Sequence, residues 1–306
     1  MTRVAAVDCG TNSVRLLVAD VEDGTLRDVT RRMEIVRLGA GVDRTGVLAP
    51  EALARTFAAL RGYAAEAHRL GAERVRVIAT SATRDARNRA DFVAGVRALL
   101  DADPEVVSGE EEAALSYAGV TRELGAFPSP YLVVDVGGGS TELVLGDAAG
   151  VWAARSVDIG CVRLTERHLH SDPPTPGQVA ALLADVDAAL DVVGATVALA
   201  CAATLVAVAG TATTIAGIAL GLPAYDAGRI HLSVVGAARV AEVTDRLLQM
   251  TREERAALPV MHPGRVDVIT AGALVLRTVV RRAGAAEVVA SEHDILDGIA
   301  WSLAVG

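Results

Sequence analysis

The chain has 306 residues, a length for one large or two ordinary domains, and its 52% hydrophobic content supplies ample core. Only 3% of residues are aromatic, so that core must be built from Ala, Val, Leu and Ile; all 29 basic residues are arginine, which excludes the Walker-A, protein-kinase and Schiff-base chemistries that need a lysine. A net charge of −9 argues against broad electrostatic binding of nucleic acid, and a polyanionic ligand would need a local arginine-lined channel within an acidic surface.

In chain order, Val4–Cys9 and Val14–Asp20 read as two strands around the turn Gly10-Thr11-Asn12-Ser13, and Thr25–Leu38 as a third strand. Pro50 opens a helix to about Leu70, with Leu53, Phe57 and Leu60 at helical spacing. Val75–Ala79 is a buried strand that runs into Thr80-Ser81-Ala82-Thr83-Arg84-Asp85. Small hydroxyl residues before a helix-start arginine suit phosphate, with Arg84 as a bidentate clamp. A helix over Ala90–Leu100 and a short strand near Val106 follow. Ser108 then caps a helix to about Leu124 whose first turn holds Glu110, Glu111 and Glu112. Acids there complement the macrodipole, and a catalytic carboxylate would occupy the same place, so spacing leaves both readings open. Pro128-Ser129-Pro130 marks the expected boundary between two domains, residues 1–128 and 129–293, with the first completed by a terminal helix over 294–306.

Leu132 to Leu145, L-V-V-D-V-G-G-G-S-T-E-L-V-L, reads as strand, tight turn, strand. Gly137, Gly138 and Gly139 leave backbone N–H groups open to an oxyanion, and Ser140 and Thr141 add hydroxyl donors. Asp135 and Glu142 bracket the turn with two carboxylates, a set suited to Mg²⁺. Residues 6–18 repeat the device at an offset of 127: Asp8 falls on Asp135, Gly10 on Gly137, Ser13 on Ser140 and Leu16 on Leu143. Two such turns in register imply two similar half-molecules that offer phosphate loops to a shared cleft.

Beyond the second turn, Val151–Val157 is a strand, Ile159–Leu164 leads into a helix, and Gln178–Val193 is a longer one. No charged residue lies between Asp191 and Asp226, but Ala, Thr and Gly dominate there, so the stretch reads as strand Leu205–Ala209 and helix Thr211–Leu220 rather than a membrane span. Gly210-Thr211 is a third candidate phosphate contact at a helix N-terminus. Ser233–Met250 and Pro263–Arg282 read as long helices, the former a candidate homodimer surface; Glu287–Ala290 is a late strand and Asp294–Leu303 the last helix. His293 reads as a polar residue near that helix's cap, and Trp152 and Trp301 as packing residues. Cys9, Cys161 and Cys201 lack metal spacing and look buried, and Met1-Thr2-Arg3 runs straight into the first strand; a cytoplasmic protein is expected.

Taken together, D-C-G-T-N-S at Asp8–Ser13, A-T-S-A-T-R-D-A-R-N at Ala79–Asn88, S-G-E-E-E-A at Ser108–Ala113, D-V-G-G-G-S-T-E at Asp135–Glu142, G-C-V-R-L-T-E at Gly160–Glu166, G-T-A-T-T at Gly210–Thr214 and R-V-D-V-I-T-A-G-A at Arg265–Ala273 resemble the exopolyphosphatases and guanosine pentaphosphate phosphatases. The resemblance is to the short, two-domain form. It implies an α/β fold of two RNase H-like, actin-like ATPase domains flanking a central cleft, within the sugar kinase–actin superfamily. It also implies Glu112 as catalytic base, and Asp135, Glu142 and Asp8 as holders of Mg²⁺ or Mn²⁺. Phosphate is expected on Gly10, Thr11, Asn12, Ser13, Arg84, Gly137, Gly138, Gly139, Ser140, Thr141, Gly210 and Thr211. The expected substrate is inorganic polyphosphate, with guanosine pentaphosphate or another nucleotide as the alternative; a kinase of the same superfamily and a non-catalytic phosphate sensor are more distant readings. Cys9 stands where the family more often has Ile or Leu.

Overall fold

Apolar β-formers on either side of Gly10–Asn12 make β1 (Thr2–Cys9) and β2 (Ser13–Glu22), which pair antiparallel with Cys9 opposite Val14, and β3 (Thr25–Ile35) adds a third antiparallel strand. They begin the first of two compact units in the computed structural model, which describes residues 1–304. One unit comprises Met1–Gly119 together with the chain from Ile295 onward; the other comprises Val120–Asp294.

In the first unit α1 (Val42–Thr45) and α2 (Pro50–Arg69) lead to β4 (Arg74–Ala79), parallel to β1; α3 (Ser81–Asp85) and α4 (Arg89–Leu100) lead to β5 (Glu105–Val106), parallel to β4; α5 (Gly109–Val120) follows. The sheet order is β3-β2-β1-β4-β5. Side chains alternate along β1, so Ala5, Val7 and Cys9 pack with Leu60, Phe92 and Val96 of α2 and α4, while Val4 and Ala6 pack with Leu296 and Ile299 of the C-terminal helix (Ile295–Ala304). Both faces are covered, which is why β1 reads as a continuous apolar run rather than an alternating one. Gly298 lets the C-terminal helix approach α5 closely: a Cβ there would lie 1.9 Å from the Leu115 carbonyl oxygen. Arg31 on β3 fastens the same helix through Asp297, at 2.5 and 3.2 Å. Burial alone would lower the pKa of Arg31, but the Asp297 and Asp28 carboxylates outweigh it and raise it.

The second unit repeats the plan. β6 (Tyr131–Val136), β7 (Thr141–Asp147) and β8 (Gly150–Val157) form an antiparallel meander, followed by α6 (Cys161–His168) and α7 (Pro176–Gly194). Then come β9 (Thr204–Val208), parallel to β6, α8 (Ala209–Ala219), α9 (Ala227–Ile230), β10 (Ser233–Gly236), α10 (Ala237–Gln249), α11 (Arg252–Ala256), α12 (Ile269–Ala283) and β11 (Glu287–Ala290), parallel to β9. The order β10-β11-β9-β6-β7-β8, read from β8, matches the first unit's sheet with β10 as an added antiparallel edge. Each unit is therefore an α/β, RNase H-like domain.

Several elements depart from the sequence reading. The helix expected from Ser233 starts at Ala237, because the β-branched pair Val234–Val235 extends the sheet beside β11 and Gly236 takes the N-cap. Pro263–Arg265 is only a short 3₁₀ turn, and the helix expected there begins at Ile269. α5 ends at Val120, and a 3₁₀ turn over Thr121–Ala126 is tied to the second unit by the Tyr131 hydroxyl, which donates to the Leu124 and Phe127 carbonyls. The division between units thus falls at Gly119/Val120 rather than at Pro128–Pro130. Cys201 and Trp152 are exposed, not buried, although Cys9 and Cys161 are buried as expected. Among the described residues no helix is long and apolar enough to cross a membrane.

Candidate functional site

In the second unit the turn between β6 and β7 is shaped from behind by α6. The Gly137 carbonyl accepts from the Cys161 N–H (2.9 Å), that of Gly138 from Val162 (2.8 Å) and Arg163 (3.2 Å), and that of Gly139 from Gly160 (3.1 Å) and the Arg163 Nε (2.8 Å). These bonds satisfy the first amides of α6. They also orient the turn: C=O and N–H of one planar peptide point opposite ways, so the amides of Gly138, Gly139 and Ser140 face away from α6. The contact demands glycine at position 160, where a Cβ would sit 2.3 Å from the Gly138 carbonyl carbon and oxygen. Gly160→Ala is expected to push the turn out of place, with a stability loss of about 1–3 kcal/mol or more and a fall in activity beyond that of the stability loss. Thermal melts beside turnover at a temperature where the variant remains folded check it; a wild-type turnover number in the folded variant would contradict it.

Asp135 and Glu142 are direct cross-strand partners on β6 and β7, and both are buried. Partners directly opposite share a face, so two carboxylates lie side by side, an arrangement that a bound cation would stabilise. The Ser156 hydroxyl on β8 donates to Glu142 Oε1 at 2.7 Å and fixes that side chain. The donor set is all oxygen, so these residues fit a hard divalent cation. Thr141 is fully buried and its hydroxyl donates to the Ile159 carbonyl at 3.0 Å, which makes that side chain a brace of the turn.

β9 ends beside β6, with Val208 opposite Asp135, and this brings Gly210 and Thr211 at the start of α8 to the same strand ends. Ala209 at that junction has φ +63°, a left-handed conformation that costs a non-glycine residue roughly 1 kcal/mol. Thr211 reaches toward the Val136 carbonyl (3.5 Å). A Cβ on Gly210 would lie 2.4 Å from the Arg265 guanidinium, whose NH1 donates to the Thr214 hydroxyl at 3.2 Å. Burial pushes the Cys161 thiol up to about 11, against the opposing influence of Arg265 and Thr211. Asp135, the glycine turn, Ser140, Glu142, Gly210, Thr211 and Arg265 thus cluster at the C-terminal ends of parallel strands, where open α/β sheets hold ligands. Arg265, Arg163 and Gly160 lay in the motifs above with no role attached.

In the first unit the turn is built the same way with different supports. The Gly10 N–H donates to the Ser13 carbonyl at 3.0 Å, as the Gly137 N–H does to Ser140 at 3.1 Å. The Thr11 carbonyl accepts from Gly39, and that of Asn12 from Val36 and Arg37, so the amides of Asn12 and Ser13 turn the other way. Asn12 Oδ1 is buried with no hydrogen-bond partner, and exchange of the amide oxygen and nitrogen would place a donor there. Asp8 is held by Arg15 on β2, at 2.9 and 2.8 Å. Arg15 falls on Glu142 at the offset of 127. The same register position therefore carries a guanidinium opposite the aspartate in one unit and a second carboxylate in the other.

β4 ends beside β1 and β5 beside β4, and the segments that follow them carry Arg84 and Glu112. The Ser108 hydroxyl accepts from the Glu111 N–H at 3.1 Å and its carbonyl from the Glu112 N–H at 2.9 Å, which sets the phase of α5. Glu110 and Glu111 are exposed and Glu111 pairs with Arg76 (3.2 Å), whereas Glu112 is buried and meets Arg84 NH1 at 3.0 Å. Arg84 also donates to the Val107 carbonyl at 3.0 Å. Of the three acids left open by spacing, Glu112 is the one the helix turns inward, beside Arg84.

The profile of the Ppx/GppA phosphatase family matches residues 17–304. Exopolyphosphatase 2 of Mycobacterium tuberculosis is 53% identical, with 99% of each chain covered. A crystal structure of an exopolyphosphatase-like protein superposes with a TM-score of 0.95 at 41% identity, over 99% of this chain and 97% of that one. A Ppx/GppA family member from Aquifex aeolicus superposes with a TM-score of 0.82 at 29% identity, over 99% and 98%. With its glycine turns, facing carboxylates and inward glutamate set on this shared scaffold, the chain belongs to the Ppx/GppA phosphatase family.

Proposed function

We propose that this protein is an exopolyphosphatase that hydrolyses the terminal phosphoanhydride bond of inorganic polyphosphate. The observation that carries the reading is the pairing of Asp135 with Glu142 across the strands next to a three-glycine turn whose carbonyls are taken up by α6. A partner with a divalent cation and several phosphate oxygens complements both features at once. Mg²⁺ or Mn²⁺ fits Asp135 and Glu142 and, when bound, would offset charge on the phosphate oxygens. Asp8 joins that set by resemblance, with Arg15 on its other side.

In this reading the chain's own groups take the following roles. Amides of Gly138, Gly139 and Ser140, those of Asn12 and Ser13, and the Gly210-Thr211 helix start donate to phosphate oxygens, with Gly10, Thr11, Gly137 and Thr141 shaping the turns. Arg84 binds phosphate from its place beside Glu112. Glu112 orients a water and takes its proton as the water oxygen bonds to the terminal phosphorus. The bond from that phosphorus to the bridging oxygen breaks, and the shortened chain leaves on that oxygen. Little covalent work is asked of the protein; positioning and charge neutralisation carry phosphoryl transfer. In this reading the protein works in the cytoplasm.

Guanosine pentaphosphate presents a similar terminal phosphate and is the alternative substrate. Comparison of kcat/KM on long-chain polyphosphate and on that nucleotide tests the assignment. A ratio in favour of polyphosphate is expected; a ratio in favour of the nucleotide would replace polyphosphate as the substrate while leaving the hydrolytic chemistry intact.

A further inference from the structure

Glu123, His231 and His293 come from three distant segments of the second unit, and their donor atoms lie within 4.8 Å of one another. Glu123 Oε2 is 2.7 Å from His231 Nε2 and 3.3 Å from His293 Nδ1, and the two imidazole rings lie tilted at 38° with centroids 4.6 Å apart. Each segment is fixed by other bonds. His231 follows α9, whose N-terminus is capped by Asp226. The Ser291 hydroxyl accepts from the His293 N–H and donates to the His293 carbonyl, both at 3.0 Å. Two imidazoles and a carboxylate converging on one point, each open to solvent on one side, are the donor set of an open transition-metal site.

The geometry points to a cation site in the second unit, separate from Asp135 and Glu142, in which Glu123, His231 and His293 bind one Zn²⁺-like divalent ion. Nitrogen donors exclude Mg²⁺ as the preferred occupant. About 3.3 Å separates ligand atoms in a tetrahedral zinc site, so one of the three edges is already at that length, and small rotamer shifts of exposed side chains adjust the others. The proton balance is specific. Without metal, His231 Nδ1 accepts the Glu292 N–H at 3.2 Å, so the ring proton sits on Nε2 and faces Glu123. A metal held on Nε2 would need that proton to move to Nδ1, and the Glu292 N–H would then have to give up the ring as its acceptor. The occupied site would tie Glu123, just past the chain's entry into this unit at Val120, to His293, next to its exit at Asp294.

Untagged, chelator-stripped full-length protein in millimolar Mg²⁺ is titrated with Co²⁺, followed by its visible absorption and then displaced by Zn²⁺. One saturable equivalent per chain is expected. Affinity should fall at least about 100-fold in the His231→Gln/His293→Gln double variant and fall clearly in Glu123→Gln, a change at an exposed position. Glu142→Gln should bind Co²⁺ as the wild type does, which keeps this site distinct from the carboxylate pair. Zn²⁺ should raise the melting temperature of the wild type and not that of Glu123→Gln. Absence of a saturable Co²⁺ band in the wild type, or unchanged affinity in Glu123→Gln, overturns the assignment.

Discussion

Glu112→Gln should cost about 10²–10⁴-fold in kcat with the fold intact, the range a general base contributes. The substitution is close to isosteric, and the Arg84 NH1 keeps its bond to the Val107 carbonyl when the carboxylate becomes an amide. What disappears is the ability to accept a proton from water. KM should change far less than kcat, because the phosphate-binding amides belong to other residues. Glu110→Gln and Glu111→Gln are the internal controls: both side chains are exposed and Glu111 is engaged by Arg76, so each should retain near-wild-type turnover. Circular dichroism and a thermal melt establish folding, and steady-state phosphate release measures the effect. Full turnover by Glu112→Gln would remove it from the mechanism.

Glu142→Gln should do two opposite things. In metal-free protein it should raise the melting temperature, because it replaces one of two facing, buried carboxylates with a neutral amide of the same shape. The Ser156 hydroxyl can still donate to the remaining side-chain oxygen. Like charges directly opposite one another cost on the order of 1 kcal/mol, and burial enlarges the effect. For a unit of this size that corresponds to about 2–4 °C per kcal/mol. At the same time the variant should lose metal-dependent turnover and lose the stabilisation that added Mg²⁺ gives the wild type. Scanning calorimetry with and without Mg²⁺ reads both. A variant that melts lower than wild type without metal and still gains stability from Mg²⁺ would show that the carboxylate pair has another purpose.

The comparison of the two units sharpens this second prediction. The offset of 127 aligned Asp8 with Asp135 and the glycines with one another, and it also aligned Arg15 with Glu142. That alignment was visible in the sequence, yet its meaning depended on register. Only the strand register shows Asp8 opposite Arg15 and Asp135 opposite Glu142, so that one position pairs an aspartate with a guanidinium and the other pairs it with a second carboxylate.

The strands around both turns, the long helices α2 and α7 and the terminal helix were legible because apolar periodicity and caps mark them locally. Features made by distant segments were not. Gly160 lies in a stretch with no obvious turn demand, and its need to be glycine comes from the carbonyl of Gly138, folded against it. Three consecutive glutamates carry no sign of which faces inward until the Ser108 cap sets the phase of α5. β10 was hidden by its continuity with an amphipathic helix, since four residues are too few for a periodic signal to compete. His293 reads locally as a polar residue near a helix start, and its partners Glu123 and His231 are supplied only by the tertiary fold.

The central claim, end-wise hydrolysis of polyphosphate, is met most directly by linear polyphosphate of one defined chain length, incubated with enzyme and Mg²⁺ and resolved by length at early times. The account predicts orthophosphate released without any acceptor or nucleotide, with the remaining chains shortened from the end and Mg²⁺ required. Chains cut internally into mid-sized fragments, or phosphate that leaves only when an acceptor is supplied, would contradict it.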